Sequence, residues 1–181
     1  PLRRPLTQLV TDGLALVGDA ASQANPIAGS GIVQAVIAAE TLAESVEHLV
    51  DTTRTYFSMQ DLWPYAFSYM RKWGVLHTIY DVFKHFILSL TNQELEYLVK
   101  SGIITGVDLL SYELKQVTLW SLFFSARKLL KTLFAPSIFK KAAKAVWYAW
   151  KVRRLYRKYP ENPAHLGKFY KKQRKIFSSI K

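Results

Sequence analysis

The sequence predicts a mainly α chain, in which one short β-strand feeds a long helix and a helical C-terminal domain follows. Three observations predict it. Leu14 to Val17 is a short apolar run bounded by Gly13 and Gly18, the pattern of a strand covered on both faces. From Ile32 the chain is rich in Ala and Leu and free of Gly and Pro, which predicts a helix to about Leu49. Downstream, apolar residues recur at three- and four-residue spacing rather than in alternation.

Between that strand and that helix, Gly18 and Asp19 end the apolar run, and Pro26, Gly29 and Gly31 punctuate a loop of small and polar residues. Asp51 to Gln60 is polar and reads as a loop. Asp61-Leu62-Trp63-Pro64 reads as a helix start with Pro64 in the first turn, and Gly74 as an interruption. Val75 to Leu90 is a helix by the spacing of Leu76, Ile79, Val82, Phe83 and Phe86. The Trp and Tyr residues of the 63–80 region suit either a packed core or the lining of a lipid tunnel, and core is the commoner use.

Thr91-Asn92-Gln93-Glu94 is a capping box opening a short helix that Gly102 closes. A further helix, with its start signal at Thr105 to Asp108, is expected to reach about Phe134. Its run from Gln116 to Ala126 carries no charge but is too short to cross a bilayer. Ser137 opens another helix, to about Tyr159. Ile138, Ala142, Ala145, Ala149, Val152 and Tyr156 form its apolar stripe, opposite Lys140, Lys144, Lys151, Arg154 and Lys158. Trp147 stands among those lysines, a position that suits a lipid headgroup region. A basic segment with Phe169, Tyr170 and Phe177 interleaved ends the chain.

The corner from Asp12 to Ile32 carries the chemistry. The first amides of a helix lack intrahelical partners, and the macrodipole adds partial positive charge there. Gly29 and Gly31 lack a Cβ, so the flat edge of a ligand can approach the backbone. Asp19 can accept hydrogen bonds from ligand hydroxyls. Gly29-Ser30-Gly31 is followed by Gln34 where a dinucleotide fingerprint needs its third glycine, so this turn is not a pyrophosphate site.

Arg4-Pro5-Leu6, Asp12-Gly13-Leu14, Gly18-Asp19-Ala20-Ala21, Asn25-Pro26 and Gly29-Ser30-Gly31-Ile32 together resemble the second flavin-binding motif of FAD-dependent oxidoreductases of the glutathione-reductase type. The resemblance is nearest to the geranylgeranyl reductases. It implies that FAD is the cofactor, with Asp19 on its ribitol chain and the turn from Pro26 to Ile32 at the flavin's pyrimidine edge. The implied cofactor-binding residues are Gly18, Asp19, Ala20, Pro26, Gly29, Ser30, Gly31 and Ile32. Ala28 and Ser30 stand where that family often has His or Gly. The implied activity is saturation of carbon–carbon double bonds in geranylgeranyl chains of isoprenoid ether lipids, with NAD(P)H or ferredoxin reducing the flavin. The resemblance divides the chain into the C-terminal part of an FAD-binding domain (1–50), a helical domain (51–134) and a basic amphipathic tail (135–181). Because the motif begins near Pro1, the chain is expected to be roughly the C-terminal half of such a reductase and inactive alone. Two alternatives stay open: an FAD-dependent aromatic-ring hydroxylase or other monooxygenase, and a non-catalytic membrane-binding helical module.

Composition narrows the partners. Residues 1–114 carry 7 Lys and Arg against 12 Asp and Glu, whereas residues 115–181 carry 18 against a single acid, Glu161. That asymmetry asks for a polyanionic partner. Nucleic acid would take the charge but not the apolar run around Trp120 or the misplaced Trp147. An anionic membrane surface takes both, and isoprenoid lipid substrates imply the same surface. Nucleic acid is therefore not expected. The expected location is cytoplasmic, peripheral on the inner face of the cell membrane. With no cysteine, thiolate chemistry and Cys-based zinc sites are excluded, and His48, His77, His85 and His165 show no metal-ligand spacing.

Overall fold

The computed structural model of the protein describes residues 2–50, 55–103 and 135–180. Element numbers run along those residues. The expected helix start at Thr105 to Asp108 and the uncharged run from Gln116 to Ala126 lie outside them.

The described residues are mainly helical, with a small two-stranded sheet leading into them. That sheet corrects the expected strand. Strand β1 (Val10–Thr11) pairs antiparallel with β2 (Leu14–Ala15), Thr11 opposite Leu14. Asp12-Gly13 makes the two-residue turn, with Gly13 at φ +69°, the left-handed geometry such hairpins need. The strand is shorter than Leu14 to Val17 and is not buried on both faces, since Leu14 is 50% exposed. An apolar run of four suits a covered strand, but the Asp-Gly dipeptide before it is the stronger local signal.

Helix α1 (Ile32–Val50) follows the loop as expected. Helix α2 (Met59–Tyr69) begins two residues before the predicted start. Ser58 is its cap, accepting from the Asp61 amide, while the Asp61 carboxylate accepts from the Ser58 amide. Pro64 therefore lies inside the helix rather than in its first turn. Gly74 does not break the chain either. Met70–Gly74 forms one wide π turn that runs directly into α3 (Val75–Leu88). Met70 occupies the space a side chain at 74 would take, its Sδ lying 2.7 Å from where a Cβ would stand.

Helix α4 (Asn92–Lys100) has the predicted capping box. The Thr91 hydroxyl accepts from the Glu94 amide at 3.2 Å, and the Thr91 amide donates to the Glu94 carboxylate at 2.8 Å. Gly102, at φ +67°, closes it. Helix α5 (Pro136–Tyr156) and helix α6 (Leu166–Ser178) complete the described chain, with a short 3₁₀ turn at Pro163–His165 before α6.

The chain divides into two compact units. One comprises Pro1–Lys84 with Tyr148–Lys181, the other His85–Trp147. In the first unit the core is aromatic. Trp63 stacks on Tyr159 with ring centroids 5.8 Å apart, and Phe169 meets Tyr156 and Tyr159 edge-on at 5.2 and 5.0 Å. The aromatic residues Trp63, Tyr65, Tyr69 and Tyr80 are all buried in it. The end of the chain is thus bound to its beginning. Tyr159 donates to the Thr7 carbonyl, Thr7 donates to Gln173, and the Arg4 guanidinium lies 3.8 Å over the Phe177 ring. Arg4 also pairs with the buried Asp81 at 3.2 Å, the salt bridge that is the ordinary use of such a residue. In the second unit, Lys141 pairs with Glu94 at 2.7 Å and Ser137 donates to the same carboxylate.

The stripe predicted on α5 is real. Ile138, Ala145, Ala149, Val152 and Tyr156 are each at most 6% exposed. It faces protein, and Ala142 on the same stripe is half-buried. Among the described residues no helix is long and apolar enough to cross a membrane.

Candidate functional site

The corner between β2 and α1 is built from four local devices. The first is Gly18, at φ +62°, a conformation only glycine takes without strain. A Cβ there would also stand 3.1 Å from the Ala35 Cβ, so the turn and α1 approach as closely as a bare backbone allows. The second is the 3₁₀ turn Gly18–Ala21, closed by Ser22 in the left-handed region, with the Ser22 amide donating to the Asp19 carbonyl. The third is Asn25, buried and bonded three ways. Its side-chain oxygen accepts from the Ile27 and Ala28 amides, and its carbonyl accepts from the Gly29 amide. The Asn25 amide in turn donates to the Ser30 carbonyl, closing the loop on itself. The fourth is Gly29, left-handed at φ +74°.

These devices place the sequence-derived residues as follows. Gly18 and Pro26 are buried and structural. Asp19, Ala20 and Gly29 are exposed, Ser30 and Gly31 half-buried, and Ile32 is 84% exposed at the first turn of α1. Asp19 and Gly31 are brought together, although 12 positions separate them in the sequence. An Asp19 carboxylate oxygen lies 3.0 Å from where a Gly31 Cβ would stand. Glycine at 31 is thus what leaves room for the carboxylate.

The result is an accessible carboxylate beside the amide-bearing start of a 19-residue helix. The amides favour an electron-rich edge, and the carboxylate favours hydroxyl donors. A flavin carries both, a carbonyl-bearing ring edge and a polyol chain, and the donor set fits it. The exposed Ile32, Val33 and Val36 continue the apolar surface along the same helix.

Three residues of this corner were not singled out by sequence. Asn25 was read as half of an Asn-Pro step, though its side chain organises the loop; an Asn two and three residues before free amides is a legible signal. Gln23 and Tyr65 are both fully buried and bonded to each other at 2.9 Å. No local pattern could have joined them across 42 positions.

Elsewhere in the same unit a groove of about 570 Å³ runs between residues 3–8 and the start of α6. Arg4, Pro5 and Leu6 of the motif line it, but none of the implied cofactor-binding residues does. Several of its polar side chains are already engaged, Arg4 with Asp81 and Thr7 with Gln173. Among the described residues no group of three or more His, Asp or Glu side chains could hold a metal ion.

No family model matches the chain. Two curated proteins are similar to it, both digeranylgeranylglycerophospholipid reductases. That of Sulfolobus acidocaldarius is 29% identical over 167 residues, 92% of this chain and 36% of the relative. That of Methanothrix thermoacetophila is 31% identical over 101 residues, 56% of this chain and 25% of the relative. The chain thus spans about a third of the length of the first relative and a quarter of the second. The likeness to geranylgeranyl reductases, noticed on a few short motifs, extends along nearly the whole chain.

Proposed function

We propose that this chain is the flavin-edge and helical portion of an FAD-dependent reductase that saturates the double bonds of geranylgeranyl chains in isoprenoid ether lipids. The observation that carries this reading is the pairing of the Asp19 carboxylate with the bare backbone of Gly31 at the open mouth of α1. The names of the two curated relatives support the substrate class.

In this reading Asp19 holds the ribitol hydroxyls. The amides from Gly31 onward face the pyrimidine edge of the ring, where negative charge collects on reduction, and the dipole of α1 favours that charge. When bound, FAD supplies the hydride for the alkene. The chain's own contribution is orientation: Gly18, Asn25 and Gly29 fix the loop so that carboxylate and helix mouth point at one ligand. NAD(P)H or ferredoxin is the reductant.

An anionic membrane surface is the second element of the proposal. On α5, Phe139, Trp147 and Trp150 are 39%, 48% and 50% exposed. They fall within about 80° of one another on the helix at about 100° per residue. Lys140, Lys144 and Lys151 occupy the adjoining arc, and Arg154 falls among the aromatic residues, 5.4 Å over the Trp150 ring. Exposed indoles among cations suit the headgroup layer, on the cytoplasmic side of the membrane.

The test is reduction of a geranylgeranylated glycerophospholipid by the full-length protein, read by mass spectrometry as a gain of one hydrogen molecule per saturated bond. Asp19→Ala is expected to abolish flavin retention and this gain together. Hydroxylated product in place of saturated product, or activity unchanged in Asp19→Ala, would overturn the reading.

A further inference from the structure

We infer that Tyr65 of α2 is a positioning residue for the flavin corner, acting through Gln23 on Gly18; this rests on the flavin reading above. Two side chains and two backbone groups form one directed chain of hydrogen bonds. The Gly18 amide can only donate, so the Gln23 side-chain oxygen must face it, and it does so at 2.6 Å. The Gln23 side-chain nitrogen is thereby turned to the Tyr65 oxygen at 2.9 Å. That oxygen must accept, so the Tyr65 proton goes to the Leu16 carbonyl at 2.8 Å. Each of these bonds has one sense, and reversing the Gln23 amide would break the bond to Gly18.

The consequence is mechanical. One hydroxyl on α2 holds the end of the hairpin at Leu16 and, through Gln23, the first residue of the Gly18–Ala21 turn. Gln23 grips Gly18 twice, since the Gln23 amide also donates to the Gly18 carbonyl at 3.1 Å. Asp19 is the next residue, so the direction of its carboxylate follows the setting of Gly18. Tyr65 and Gln23 are each 0% exposed, so no water can replace a lost partner without opening the core. Neither residue reaches the corner's accessible face, so neither touches the ligand; they act through Gly18.

The experiment uses full-length protein and three variants: Tyr65→Phe, Gln23→Met and Tyr69→Phe. Tyr69 is the control, an equally buried tyrosine on α2 whose hydroxyl faces His77 instead. Three quantities are read: FAD affinity, flavin midpoint potential, and hydrogen exchange at the Gly18 amide in cofactor-free protein. Tyr65→Phe and Gln23→Met are expected to weaken FAD roughly tenfold or more, the equivalent of one buried hydrogen bond left unpaired. They are also expected to shift the potential and to speed Gly18 exchange. Tyr69→Phe is expected to lower thermal stability while leaving all three quantities unchanged. If Tyr65→Phe does not fold, Gln23→Met removes both side-chain links of the relay, to Tyr65 and to the Gly18 amide, and decides in its place. Unchanged affinity, potential and exchange in both cut variants would overturn the inference, as would losses that merely follow thermal stability in all three. A wild-type protein that takes up no FAD overturns the flavin reading itself. The Gly18 exchange, measured without cofactor, tells that outcome apart from failure of the relay.

Discussion

His77 is a titratable residue held away from water. It is 2% exposed, between Tyr69 and Tyr80, and burial lowers its pKa to about 4. The unfolded chain therefore binds a proton near pH 6.5 that the folded chain refuses until about pH 4. Stability from this group is complete above pH 6.5 and is lost as pH falls through that window, by about 3 kcal/mol at most. Denaturant melts between pH 7 and pH 4 should show the slope, and His77→Phe should flatten it. The same physics keeps Tyr65 a neutral donor, since burial raises its pKa to about 12. At the candidate site, Gly31 offers a test that separates binding from folding. Its backbone is not left-handed, so Gly31→Val costs no conformational strain, but the new side chain meets the Asp19 carboxylate. Flavin affinity should fall sharply while the melting temperature barely moves. Gly18→Ala should do the reverse of that separation. Left-handed backbone and contact with Ala35 together are worth roughly 1–3 kcal/mol, so stability and binding fall together.

At the scale of elements, what was legible was what is written locally. The Thr91-to-Glu94 box was read from four letters, and the helix from Ile32 from its composition. Ser58-x-x-Asp61 carries the same signature, but Pro64 drew the predicted start two residues too far along. The hairpin was missed because an apolar run was weighed above an Asp-Gly turn, and the π turn at Met70–Gly74 because glycine reads as a stop when its neighbours are unknown. Ser58→Ala and Thr91→Ala should each cost about 1 kcal/mol in urea melts, the usual value of a helix cap. Glu94 does more than cap. Lys141, Ser137 and the Thr91 amide hold its carboxyl down to about 2. Its contribution is present above its ordinary pKa near 4.5 and disappears as pH falls towards 2, below most of the His77 window. Glu94→Gln should remove that lower limb of the acid profile and leave the upper one.

At the scale of the molecule, the residues that share a face of the basic tail are legible in the sequence, and the partners that face packs on are not. Periodicity shows that Val152 and Tyr156 lie together; it cannot show that Phe169 awaits Tyr156, because that partnership is set by packing between distant segments. Phe169→Ala should cost about 3–5 kcal/mol, as a buried ring lost from a close-packed cluster. What remains outward on α5 is the aromatic arc with its cations. Trp147→Ser with Trp150→Ser should reduce flotation on anionic vesicles, and added salt should weaken the wild-type interaction. Zwitterionic vesicles that bind equally well would argue against a charge-led contact.

The bond from Tyr159 to Thr7 joins residues 152 apart, and that from Thr7 to Gln173 joins residues 166 apart. Closure over such distances is slow, because the intervening polymer must surrender its freedom first. On the ribosome, Arg4 to Thr7 must wait until Tyr159, 152 positions beyond Thr7, has been translated. Until then the flavin corner has its local turns but not its buttress, so a nascent chain stalled before α6 should not yet retain cofactor.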